Sequence, residues 1–243
     1  MAKLLAADGW SSSDSLGIYL REALPEGYVV VANYSGGNMG LLKLQDTGHL
    51  SELLDVQQHQ GSGAHPRQDA PHAHSGWFTR DGEVISVDLG TNQLWFSRID
   101  PTENKFVPEQ PNTFSLEPGA GPRHLAFHPG NPWIYVINEL SSSVSMVMQN
   151  PGTQAYEILQ TLSTLPEGFT GENTCADIHI SPDGNFLYAS NRGHDSIAMF
   201  TVRPDGRLEP LGLADDILSA TEPQDNDSHG CISDEGGATI RHR

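Results

Sequence analysis

Cationic side chains are scarce in this chain: 13 Lys and Arg stand against 31 Asp and Glu, a net charge of −18. That balance repels phosphodiester backbones and anionic lipid surfaces, which argues against nucleic acid or a membrane as partner. It also means that a site for an anionic ligand must gather several of the few arginines locally. Cysteine is scarcer still. Cys175 and Cys231 are too few for a disulfide framework, and neither lies in a Cys-x-x-Cys or Cys/His spacing, which fits a reducing compartment. No apolar run is long enough for a signal peptide or a membrane span, so a soluble cytoplasmic protein is the expectation. Hydrophobic residues, at 37%, are also few for a globular chain, although 243 residues suffice for one large domain with a sizeable core.

Glycine (25) and proline (16) are plentiful, as a chain of many turns and short strands requires. The organising stretch is Gly119 to Val147, GAGPRHLAFHPGNPWIYVINELSSSVSMV. It holds a strand beginning at Arg123, a turn from His128 to Asn131, a β-rich run from Trp133 to Asn138 with Glu139 at its end, and a further strand from Ser143. The layout recurs upstream in HSGWFTRDGEVISVDLGTNQLWFSRID and downstream in ADIHISPDGNFLYASNRGHDSIAMFTV, with a partial copy in EGYVVVANYSGGNMGLLKLQ. Aligning the second strand of each copy puts Asn33, Asp88, Asn138 and Asn191 in register, about 50 residues apart. A repeat of that length with about four short strands predicts an all-β fold of β-propeller blades, three clear and part of a fourth. The propeller segment is expected over 28–212. Residues 1–27 read as irregular or helical. Residues 213–243, rich in Asp, Ser, Glu and Gly, read as a disordered tail.

The segments GAGPRHLAFHP, YVINELSSSV, ADIHISPDGNFLYASNRGHDSIAMF, VVVANYSGGN, QGSG and PHAHS closely resemble the seven-bladed β-propeller lactonases. These include the bacterial-type 6-phosphogluconolactonases and the carboxy-cis,cis-muconate cyclases. The resemblance covers about residues 26 to 212. A full-length member has seven blades, so the chain is similar to an internal part of one, with unrelated ends. Blade edges left uncovered in a partial ring favour self-association.

The innermost strands of a propeller line a central channel, and residues at one end of them converge there. His74 and Arg123 begin the first strands of two successive copies. Glu139 and Arg192 end the second strands of two successive copies, each directly after a register asparagine. The resemblance implies a site built from a His, two Arg and a Glu in this order, matched by His74, Arg123, Glu139 and Arg192. Lactone hydrolysis needs an activated water, stabilisation of an oxyanion and a grip on an anionic group. Glu139 or His74 would supply the base, and Arg123 and Arg192 the anion binding. An Arg–Glu ion pair that ties blades together is the alternative.

Substrate-binding candidates also include His72, on the loop beside His74, where a solvated loop histidine is the stronger reading, and Asp177 and His179 at the start of the next copy, where structural hydrogen bonding is an equal reading. His124 and His128 read as packing or turn residues, and Cys175 as a small buried one. His65, His72 and His74 lack metal-ligand spacing, so no metal is expected. Gly36 and Gly37 are hairpin residues, not a phosphate loop. The resemblance implies cofactor-free hydrolysis of a small anionic sugar lactone, 6-phospho-D-glucono-1,5-lactone, in the pentose phosphate pathway. The alternatives are cycloisomerisation of a carboxymuconate-type diacid and a non-catalytic propeller fragment.

Overall fold

The computed structural model describes residues 27–215, and these form fifteen strands in four antiparallel sheets. The first blade holds β1 (Tyr28–Asn33), β2 (Asn38–Lys43) and β3 (Asp55–Gln58). The second holds β4 (Ala73–Phe78), β5 (Glu83–Asp88), β6 (Gln93–Asp100) and β7 (Lys105–Ser115). The third holds β8 (Pro122–Phe127), β9 (Trp133–Asn138), β10 (Ser143–Gln149) and β11 (Tyr156–Ser163). The fourth holds β12 (Thr174–Ile180), β13 (Phe186–Arg192), β14 (Ser196–Val202) and β15 (Leu208–Asp215). Within each sheet the strands lie in chain order, as expected of a four-stranded meander. Because Asn33 shares the register of Asp88, β1 corresponds to the second strand of the other blades.

The hydrophobic core lies between the sheets. Tyr28, Val30, Met39 and Leu41 of the first blade pack on Ala73, Val84 and Phe106 of the second. Trp77, Ile85, Leu94 and Phe96 of the second meet Leu125, Val136 and Val147 of the third. Tyr135, Ile137 and Met146 of the third meet Ile178, Leu187 and Phe200 of the fourth. This explains the hydrophobic patterns. In β5 and β9 successive residues are buried, because a neighbouring blade covers each face. In β13 Leu187, Ala189 and Asn191 are buried while the residues between them are not, the alternation of a strand covered on one face. Gly76 lets the first two blades approach closely: a Cβ there would lie 2.5 Å from Met39 Cε and 3.0 Å from Val30 Cγ2.

The last strand runs past the expected boundary. Leu213, Ala214 and Asp215 pair with Ala198, Ile197 and Ser196, so they belong to the sheet and not to a tail. Between Gly212, opposite Met199, and Pro210, opposite Phe200, Leu211 is an extra residue. The bulge breaks the alternation that would have marked the strand in the sequence. The readings made for residues 1–26, for 216–243 and for Cys231 lie outside the described residues.

Candidate active site

The first strand of each complete blade carries one extra residue at the same point. In β4, Ala73 pairs with Asp88 and Ser75 with Val87, which leaves His74 between them. In β8, Pro122 pairs with Asn138 and His124 with Ile137, which leaves Arg123 between them. In β12 the same shift falls between Cys175 and Ile178. Bulges re-aim side chains out of the regular pleat, and here they turn His74 and Arg123 towards one carboxylate.

That carboxylate is Glu139, whose side chain is only 4% exposed. It directly follows Asn138 at the end of β9, and its backbone is fixed by bonds from Glu139 N to Gly121 O (2.7 Å) and from Cys175 N to Glu139 O (3.1 Å). Its Oε2 accepts from Arg123 Nε at 3.0 Å and lies 3.1 Å from Arg192 Nη2 and 3.8 Å from His74 Nε2. Its Oε1 lies 2.7 Å from Arg67 Nη1. A buried carboxylate is tolerated only when paired, and here three guanidiniums surround one negative charge. The guanidiniums exceed the carboxylate by two positive charges, a local surplus in a chain of charge −18.

The three arginines differ in exposure. Arg123 is 15% exposed and also donates from Nη1 to Ala176 O at 2.7 Å. Arg67 and Arg192 are 46% and 50% exposed, so each presents part of its guanidinium to solvent. His74 is held well below the ordinary imidazole range, first by burial and then by the charge of Arg123. It is therefore neutral at neutral pH.

All four residues expected at the site, His74, Arg123, Glu139 and Arg192, are brought together. Arg67 and Tyr34 join them unanticipated. Arg67 Nη2 lies 3.4 Å from Tyr34 OH, and the Tyr34 ring stacks on His72 at 4.5 Å and meets His74 edge-on at 5.6 Å. His72 is half-buried in that stack, with Nδ1 3.2 Å from Tyr34 O.

Asp177 and His179 sit one step away. Asp177 Oδ1 is 2.8 Å from His124 Nδ1, and Oδ2 is 2.8 Å from His179 Nε2. Burial raises the Asp177 pKa, but the bonds to His124 and His179 outweigh it and hold the carboxyl well below its usual range. His124 is buried, as a packing residue should be, and its ring meets His74 edge-on at 5.2 Å. His128 is a turn residue whose Nδ1 accepts from Gly130 N and Asn131 N, both at 3.0 Å. Cys175 is buried, and burial pushes its thiol up to about 11. Among the described residues no group of three or more His, Cys, Asp or Glu side chains is arranged to hold a metal. A cleft of about 780 Å³ opens between the second and third blades near Phe78, Arg98 and Trp133. It lies at the other end of β4 from His74, and none of the residues around Glu139 lines it.

Face-packed antiparallel sheets of three and four strands, with arginines from strand ends and a loop gathered on one buried carboxylate, are the architecture of a β-propeller. The chain belongs to the seven-bladed β-propeller lactonase family, whose model, "Lactonase, 7-bladed beta-propeller", matches residues 5–215. It is 38% identical over 176 residues to a 6-phosphogluconolactonase of Bacillus subtilis, an alignment covering 72% of this chain and 49% of that protein. Among solved structures, a protein from Lactobacillus plantarum superposes with a TM-score of 0.76 at 33% identity, covering 82% of this chain and 57% of the other. The periplasmic gluconolactonase of Pseudomonas aeruginosa superposes with a TM-score of 0.73 at 33% identity, covering 81% and 56%. The chain thus spans about half the length of the curated relatives it matches.

Proposed function

We propose that the site around Glu139 is that of a lactone hydrolase of the 6-phosphogluconolactonase type, opening 6-phospho-D-glucono-1,5-lactone with water. The observation that carries this reading is the convergence of Arg67, Arg123 and Arg192 on one buried carboxylate. The relative from Bacillus subtilis, named for that activity, supports it.

Both oxygens of Glu139 already face guanidiniums, so its part is to orient the arginines. His74, neutral and beside the cluster, is the group left to take a proton from water. Its depressed pKa makes it a mild base, which suits a strained ester that also opens unaided. Water attacks the lactone carbonyl as His74 accepts its proton. The charge on the carbonyl oxygen falls to Arg123, the least exposed and most firmly held guanidinium. The half-exposed Arg67 and Arg192 grip the phosphate, where paired N–H donors are favoured. When the tetrahedral intermediate collapses, the ring oxygen leaves and takes the proton from His74.

The test is proton release from freshly prepared 6-phosphogluconolactone above the spontaneous rate, measured with the protein and with its Glu139→Gln variant. A rate present in the first and absent in the second supports the reading. No rate above background from a folded protein would reject it for this chain.

A further inference from the structure

Asp88 stands at the register position held by asparagine in the other blades. Asn138 Nδ2 donates to Ser143 Oγ at 3.0 Å and Ser145 Oγ at 2.9 Å, and Asn191 Nδ2 donates to Ser196 Oγ at 3.2 Å. Those of Asn138 stay within one blade, whereas Asn191 also donates to Thr164 O at 3.0 Å and accepts from Thr164 Oγ1 at 2.7 Å and Asn173 Nδ2 at 3.1 Å, at the two ends of the loop before its blade. A carboxylate cannot donate and must collect donors instead. Asp88 Oδ1 accepts from Thr91 N at 2.8 Å and His72 N at 2.9 Å, and Oδ2 is 2.7 Å from His59 Nδ1. The side chains of both Asp88 and His59 are fully buried. The His59 ring also stacks on Trp95 at 4.3 Å, and its Nε2 has no hydrogen-bond partner among the described residues.

Two of the three donors, His59 and His72, are the two ends of one long loop. Its centre is tied to the same hairpin. Buried Gln68 donates from Nε2 to Leu89 O at 2.7 Å and to Asn92 Oδ1 at 3.0 Å, and its Oε1 accepts from His65 N at 3.0 Å. The neighbour of Gln68 is Arg67, the one guanidinium of the site that comes from a loop and not from a strand.

We propose that Asp88 and His59 are positioning residues that clamp both ends of the 59–72 loop and so deliver Arg67 to Glu139 and to the anionic group of the substrate. The second half of this statement rests on the lactonase reading. The first half stands on geometry alone.

Four single variants and one double variant of the chain test it. Asp88→Asn keeps an oxygen for the two backbone donors but turns a donor towards His59. His59→Leu removes the clamp, whereas His59→Asn keeps a donor near the place of Nδ1. Trypsin cleavage after Arg67 requires the loop to open, and cleavage after Arg207, in the distant β14–β15 turn, reports general loosening. Asp88→Asn and His59→Leu should each raise cleavage after Arg67 roughly tenfold with cleavage after Arg207 unchanged, and His59→Asn should restore protection. Unchanged cleavage after Arg67, or equal acceleration at both sites, overturns the clamp. In turnover, Asp88→Asn should raise KM for the phospholactone as Arg67→Ala does, with the double variant no worse than Arg67→Ala alone. If Arg67→Ala raises KM and Asp88→Asn does not, the positioning role fails and the site reading stands. If Arg67→Ala leaves KM unchanged, Arg67 has no part in binding, and the cleavage pattern still decides the clamp.

Discussion

Arg67, on the loop between the first and second blades, meets Glu139, at the end of a third-blade strand, at 2.7 Å. The carboxylate therefore joins parts of the chain that no single blade brings together, and it is the group on which the other contacts depend.

Replacing it should be correspondingly severe. Glu139→Gln leaves three guanidiniums facing a neutral amide in a buried position. Loss of a preorganised electrostatic group is expected to lower kcat/KM by roughly 10²–10³-fold, with the β-sheet circular dichroism signal retained. Initial rates of proton release measure it; an activity within threefold of wild type would rule out an organising role for Glu139.

The arginines should separate by exposure. Arg192→Ala, which removes a half-exposed guanidinium, is expected to raise KM for the phosphorylated lactone about tenfold and to change that for unphosphorylated glucono-1,5-lactone little. Arg123→Ala should lower kcat on both substrates by roughly 10²-fold. Parallel steady-state kinetics on the two lactones check this. Identical effects of both variants would show that the two groups are not divided between phosphate and oxyanion.

The pH dependence follows from two buried imidazoles. Burial first, then the charge of Arg123, lowers the pKa of His74; burial also lowers that of His124, and the bond to Asp177 only partly opposes it. In the unfolded chain both titrate near about 6.5. Below that pH the unfolded state binds more protons, so stability falls as pH drops through 6.5, until the folded-state values are passed. Melting temperatures measured from pH 8 to pH 5 should decline below pH 6.5, less steeply in His74→Gln. The acid limb of kcat/KM should likewise lie below pH 6.5, since His74 stays neutral there; a limb above 6.5 would remove His74 as the base.

Gly206 offers a stability test away from the site. It lies in the β14–β15 turn with φ of 84°, and an added Cβ would fall on Met146 Cε and on the Trp133 ring. Its carbonyl accepts from the buried Tyr135 hydroxyl at 2.8 Å. Gly206→Ala combines left-handed strain with overpacking between the third and fourth blades and should cost about 2–4 kcal/mol. Urea melts would show it; a loss under 1 kcal/mol would mean that the turn relaxes freely.

Most of the fold was legible in the sequence because blades repeat. β9 lies on the residues expected, Trp133–Asn138, β10 begins at Ser143 as expected, and β8 begins one residue before Arg123. The convergence on Glu139 was legible for the same reason, since His74, Arg123 and Arg192 occupy repeat positions. Arg67 was not, because it lies in a loop with no periodicity to locate it. Tyr34 could have been found: it follows Asn33 as Glu139 follows Asn138 and Arg192 follows Asn191. The pairing of His124 with Asp177 was hidden because the two stand at the same place in successive blades, and sequence alone does not show which strands face each other.

The extra residue in β4, β8 and β12 works as a socket. The second and third blades each keep their sheet intact and turn one bulged side chain to the shared centre, so the residue in the socket can change without disturbing the hydrogen-bonded ladder around it. The second blade fills its socket with histidine and the third with arginine. The fourth leaves the equivalent place to Ala176, which contributes only its carbonyl, to Arg123. Ala176 is thus where a further functional group can be installed with the least change to the fold.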